Sequence, residues 1–132
     1  QWQAFVALNW PVDAAGDVYV ADADNHRVVR LSAEGEPLLA WGQAGEGDGQ
    51  FVEPFDLVVD TQGNVVVLDA VAQRLQRFTP EGRFLAAFGR DLAFYRPRGL
   101  GVDAQDNFYV AGWLAADAGR RAGGGDRPRP AH

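Results

Sequence analysis

The chain repeats itself, and that limits its fold more than any other property. Residues 12–42 (VDAAGDVYVADADNHRVVRLSAEGEPLLAWG) align without a gap on residues 59–89 (VDTQGNVVVLDAVAQRLQRFTPEGRFLAAFG), with 14 of 31 positions identical. A third copy opens as VDAQDNFYVAGW at Val102 and then loses the pattern. The copies start 47 and then 43 residues apart, and the whole difference lies in the connector after each closing glycine. A unit of this size cannot bury its apolar face alone, so neighbouring units must stack.

Within a unit the pattern is that of β-strands. Val18-Tyr19-Val20 and Val65-Val66-Val67 are β-branched or aromatic runs introduced by Ala-Gly-Asp and Gln-Gly-Asn turns. Arg27 to Leu31 and Arg74 to Phe78 come next, followed by Ser-Ala-Glu-Gly-Glu and Thr-Pro-Glu-Gly-Arg, where Gly35 and Gly82 suit a tight hairpin. A last strand ends at Trp41-Gly42 or Phe88-Gly89. With Phe55 to Val59 or Gly99 to Val102 in front, each unit reads as a four-stranded antiparallel meander, the size of one propeller blade.

These residues resemble the NHL repeat, a family of β-propeller blades. The resemblance rests on the Pro-x-Gly-x-x-Val-Asp opening (Pro97, Gly99, Val102, Asp103) and on Gly-x-x-Tyr-Val-Ala-Asp (Gly16, Tyr19 to Asp22). It continues through Asn25-His26-Arg27-Val28 and the closing Glu-Gly followed by Trp-Gly or Phe-Gly. It covers roughly residues 9–113. The resemblance implies an all-β fold, a partial β-propeller of four-stranded antiparallel blades. The family mostly binds partners, among them protein and RNA, and includes a minority of enzymes.

The expected organisation is an incomplete first blade start over 1–11, blades with their connectors over 12–54 and 55–98, a half blade over 99–113 and a disordered tail over 114–132. Pro11 touches Val12 directly, so the innermost strand of the first unit is missing or comes from Ala4 to Leu8. The tail has no alternation and is rich in Gly, Arg and Pro. Two and a half blades do not close a ring. The outer faces should therefore expose apolar rows, and further blades or self-association are needed. The chain starts at Gln1 and has no Met, which reads as part of a longer, bacterial parent.

Composition removes other classes. With no Cys there is no disulfide scaffold, zinc ribbon or thiol enzyme, and no apolar run approaches the roughly 20 residues of a membrane span. Residues 1–114 carry 16 acids against 8 Arg, which repels phosphate backbones and makes nucleic acid an unfavoured partner.

In the blade the resemblance implies, interblade connectors and the loop between the second and third strands emerge on one face. They hold Arg27, Phe51, Phe55, Arg74, Arg90, Tyr95, Arg96 and Arg98, the residue types that anchor protein interfaces. His26 is expected to make a structural hydrogen bond to the next blade rather than ligate metal, because the second unit has Ala72-Gln73 there. Asp13, Asp60 and Asp103 recur before the first turn of each unit and read as Asx-turn formers. Ser32 has no His beside it in sequence, and the Gly-rich stretch 45–49 is acidic, without the Lys of a phosphate loop. No catalytic residue, metal or cofactor is assigned. The expected function is a noncatalytic module that binds a protein or peptide, acidic ones included, within a longer parent. A propeller enzyme of lactonase-like or amidating-lyase-like kind, or a single-stranded RNA binder, is the alternative.

Overall fold

The computed structural model describes residues 11–92, 94–114 and 130–131. Strands β1 (Val18–Asp22), β2 (Arg27–Leu31) and β3 (Pro37–Trp41) form one sheet in chain order. Strands β4 (Pro54–Val59), β5 (Val65–Asp69), β6 (Arg74–Phe78) and β7 (Phe84–Phe88) form a second, again in chain order. Strands β8 (Phe94–Val102) and β9 (Phe108–Leu114) form a third, with β10 (Pro130–Ala131) beside β9. All pairings between these strands are antiparallel, and the only helical turns among the described residues are two short 3-10 turns, Ala23–Asn25 and Arg90–Leu92. The fold is an all-β partial propeller of stacked meanders.

The recurring aspartates build the first turn of each meander. Asp13 Oδ1 accepts the Ala15 and Asp17 amides at 2.9 and 3.0 Å, Asp60 Oδ1 those of Gln62 and Asn64 at 2.9 Å, and Asp103 Oδ1 those of Gln105 and Asn107 at 2.9 Å. These are the expected Asx turns. Each turn closes through a left-handed residue, Gly16 (φ 91), Gly63 (φ 83) and, in the third, Asp106 (φ 61). Aspartate tolerates that conformation better than most residues. Here its carboxylate also accepts the Thr61 amide at 2.9 Å and the Thr61 hydroxyl at 2.7 Å, tying the second turn to the third.

Two apolar layers hold the sheets together, and β5 serves both. Val65 and Val67 join Tyr19, Val28, Phe51, Leu57 and Phe78 between the first and second sheets. Val66 and Leu68 join Leu75 and Phe108 between the second and third. A strand's side chains alternate between faces, so a four-residue apolar run is what a central blade needs.

The edges differ from expectation in detail. Among the described residues Val18 and Leu31, on the outer side of the first sheet, are 1% and 4% exposed rather than bared. Within the described residues the first sheet has three strands, and an isolated antiparallel bridge from Val12 to Val18 starts the pairing expected of a fourth. Tyr19 donates its amide to the Pro11 carbonyl at 3.1 Å, and Pro11 has no amide to return. Residues 4–8 lie outside the described residues. Leu114 ends β9, and Pro130 and Ala131 pair with Tyr109 and Phe108. Extended backbone beside an open strand edge gains the hydrogen bonds that composition alone does not reveal. Residues 115–129 lie outside the described residues. The innermost strand of the third sheet begins at Phe94, ahead of Gly99, and reaches Leu114 through an irregular register between Tyr95 and Gly99.

Candidate functional site

The connector from β3 to β4 and the loop between β5 and β6 meet at one end of the second sheet. The Asp69 carboxylate, fully buried, accepts the amides of Val52 (2.8 Å), Glu53 (2.9 Å) and Ala72 (3.0 Å). Arg74 donates to the carbonyls of Glu46 (2.7 Å), Gly47 (3.0 Å) and Gln50 (2.7 Å). Gln76 accepts the Gly49 amide at 2.8 Å and donates to the Gln50 carbonyl at 2.8 Å. Three side chains thus fix a connector whose glycines would otherwise leave it loose. His26, left-handed at φ 55, donates Nδ1–H to the Val52 carbonyl at 3.0 Å, the expected bond toward the next blade. Gln73 takes the same left-handed conformation (φ 60) at the equivalent position.

Two of the expected surface anchors are structural. Phe51 is 0% exposed and packs against Phe78 at 5.6 Å between ring centroids, because a connector crossing between sheets must fill the gap beneath it. Arg74 is 2% exposed, and burial pushes its pKa below the ordinary guanidinium value against the pull of Asp69. Its fork suits three converging carbonyls, a use of Arg that spacing in the sequence did not reveal. Sequence reasoning also missed Asp69 and Gln76. The signal for Asp69 was its recurrence at Asp22, whose pKa is held below the ordinary carboxylate value by the Asn25 amide at 3.0 Å, with Arg27 at 2.9 Å adding to it.

The remaining candidates are dispersed along the blade. Arg27 is exposed and engaged by Asp22. Arg90 is exposed beyond β7, at the outer end of its connector, whereas Arg98 is exposed on the innermost strand β8. Tyr95 lies on β8 opposite Trp113, and the side chains of Tyr95 and Arg96 lie outside the described residues.

Two large apolar side chains near this end of the sheet stand exposed instead, Phe55 and Val71. Phe55 is the extra residue of a bulge, since Pro54 pairs with Asp69 and Asp56 with Leu68. A bulge re-aims the side chain it carries, and Phe55 stands 45% exposed. Two residues before Phe55 the Glu53 carbonyl accepts the Ala70 amide at 3.0 Å, and the residue after Ala70, Val71, is 56% exposed. Among the described residues no three His, Cys, Asp or Glu side chains gather to hold a metal ion.

Comparisons with known proteins agree with this architecture. Residues 12–31 match the NHL repeat family. A streptogramin B lyase structure superimposes with a TM-score of 0.61 at 13% identity, covering 77% of this chain and 32% of that one. A protein of unknown function from Bacteroides caccae superimposes with a TM-score of 0.51 at 16% identity, covering 78% of this chain and 38% of that one. The chain thus spans about a third of the length of these two structures. No curated protein matches the sequence. At these identities the likeness is one of fold.

Proposed function

We propose that the chain is a noncatalytic interaction module that binds an extended protein segment at the loop end of its second sheet. The observation that carries this is the exposure of two apolar side chains, Phe55 and Val71, beside backbone held by the buried Asp69 and Arg74. Apolar anchors on preorganised backbone lose little entropy on binding, which is how a small patch gains affinity. Asp56, the residue after Phe55, accepts the Leu100 amide of β8 at 3.0 Å, and the exposed Arg98 two residues before Leu100 on that strand favours acidic residues beside the anchor. An enzyme reading has support from the lyase named among the structural neighbours, at the level of fold alone.

The test is fluorescence anisotropy of the full chain against labelled peptides that combine aromatic or Leu anchors with Asp and Glu. Binding that falls about tenfold or more in the double variant Phe55→Ser, Val71→Ser is the expected result, with Leu38→Ser as the unaffected control. Equal binding by the double variant defeats the reading. A labelled oligouridine that binds at low salt more tightly than any peptide transfers the surface to single-stranded RNA.

A further inference from the structure

In the first two sheets the third strand brings an arginine to the carboxylate that builds the first turn. Arg30, opposite Tyr19, sets its guanidinium 3.8 Å from Asp13 and 2.8 Å from Asp17. Arg77, opposite Val66, stands 3.4 Å from Asp60. A large apolar residue follows each, Leu31 opposite Val18 and Phe78 opposite Val65, and both are buried. In the third sheet the same two register positions, opposite Tyr109 and Phe108, hold Pro130 and Ala131. Neither residue type supplies a charge or a large side chain. The repeat spacing of 43 residues puts the corresponding pair at Arg120-Arg121, with a charge where Leu31 and Phe78 stand. Asp103 is thus left with neutral donors, the Gln105 and Asn107 amides, the Asn107 side chain and the Tyr109 hydroxyl, and has no ion pair among the described residues. The strand edge beside it is open as well. β2 and β6 each pair with their inner neighbour over five residues, whereas β10 pairs with β9 over two. Among the described residues no strand covers Val110 to Leu114 on that side, and Ala111 is exposed where the equivalent Leu68 is buried.

We propose that the edge of β9 accepts a strand from another polypeptide, an extended segment that carries Arg followed by Phe or Leu and displaces the short β10. The segment lies antiparallel to β9, as β2 and β6 lie to their neighbours, and its main chain takes up the open hydrogen-bonding groups. Its arginine stands opposite Tyr109, with the guanidinium at the Asp103 carboxylate. The first sheet shows that this seat suits a cation. There the Tyr19 hydroxyl donates to Asp13 at 2.8 Å, as Tyr109 donates to Asp103 at 2.9 Å, and Arg30 stacks 5.8 Å from the Tyr19 ring. The apolar side chain enters beside Phe108, in the layer that also holds Val66, Leu68 and Leu75. A second copy of this chain is not the donor, because its Arg30-Leu31 and Arg77-Phe78 lie on strands already paired along both edges. The segment is basic, whereas the one proposed for Phe55 and Val71 is acidic, so the two sites sort their partners by charge.

Fluorescence anisotropy of the full chain with the labelled peptide Ala-Gln-Arg-Leu-Gln-Arg-Phe-Thr, the sequence of residues 72–79, tests this. Binding is expected, together with slowed amide hydrogen exchange at Val110, Ala111 and Gly112. Arg77→Glu or Phe78→Ser, made within the peptide, should each weaken binding about tenfold or more. In the protein, Asp103→Asn keeps an acceptor for the turn and should weaken the parent peptide but not the Arg77→Glu peptide, which isolates the ion pair. Absence of binding up to millimolar peptide overturns the proposal. So do equal binding of all three peptides, an Asp103→Asn chain that holds the parent peptide as well as wild type does, and protection that falls on β3 or β7 instead of β9.

Discussion

The guanidinium of Arg77 lies 5.6 Å from the ring centroid of Phe108, a residue of the next sheet, while stacking at 5.2 Å on Phe88 of its own. Its Nε stands 3.4 Å from Asp60 Oδ2, an ion pair without a hydrogen bond at that nitrogen. One cation therefore fastens the second sheet to the third. Arg77→Ala is expected to cost about 2 kcal/mol, because it removes two cation–π contacts and leaves Asp60 buried without its partner. Arg77→Met keeps the packing and should recover part of that loss. Denaturant unfolding measures both, and an Arg77→Ala chain as stable as wild type removes the role given to this side chain.

Arg74→Lys should behave as a loss rather than a conservative change. A single ammonium cannot serve the Glu46, Gly47 and Gln50 carbonyls that the planar fork serves together. We expect a stability loss of about 2 to 3 kcal/mol and faster proteolytic nicking within residues 45–49 than elsewhere in the chain. Cleavage at an unchanged rate would show that Gln76 and Phe51 hold the connector without Arg74.

Two glycines with similar backbone angles should respond differently to alanine. At Gly42 (φ 114) a Cβ would stand 2.7 Å from the Phe51 ring and 2.8 Å from the His26 carbonyl, neither free to withdraw. At Gly63 (φ 83) it would meet nothing within 4 Å. Gly63→Ala should therefore cost about 1 kcal/mol, the backbone penalty alone, and Gly42→Ala several times as much. Equal melting temperatures for the two variants would contradict the close packing of Phe51 on Gly42.

Acid should loosen the third turn within a defined window. The Asn107 amide, then the Asn107 side chain, with Tyr109 and the Gln105 amide adding to them, hold the Asp103 carboxyl down at about 2. A depressed folded-state pKa means a contribution that is complete above the unfolded value of about 4 and is lost as pH falls from there toward 2. Asp103→Asn keeps an acceptor for the turn amides but cannot titrate, so its stability should vary less over that range. An Asp103 carboxyl signal that titrates near 4 by NMR would sink this prediction.

Strand order and turn chemistry were legible because they recur: a position filled by Asp13, Asp60 and Asp103 declares a turn before any coordinates exist. The roles of Phe51 and Arg74 were not legible. An aromatic or Arg in a connector has the same spacing whether it faces solvent or plugs the gap below, and only the path of the chain between sheets decides. Val71 was missed for the opposite reason, since an apolar residue between alanines in a short loop carries no periodic signal. Phe55 was expected among the binding residues, and the bulge that turns it outward is visible only in the register of Pro54 and Asp56 against Asp69 and Leu68.

The five consecutive buried residues of β5 form a party wall between two neighbours. Val65 and Val67 answer to Tyr19 and Phe51 on one side, Val66 and Leu68 to Phe108 on the other. Substitutions one residue apart therefore fall in separate energetic neighbourhoods, while those two apart share one. Changes at Val65 and Val67 should compound or compensate, and Val66 should be nearly indifferent to both. A stretch of sequence that looks uniform thus encodes two independent seams, each able to drift with its own partners as long as the strand between them stays extended.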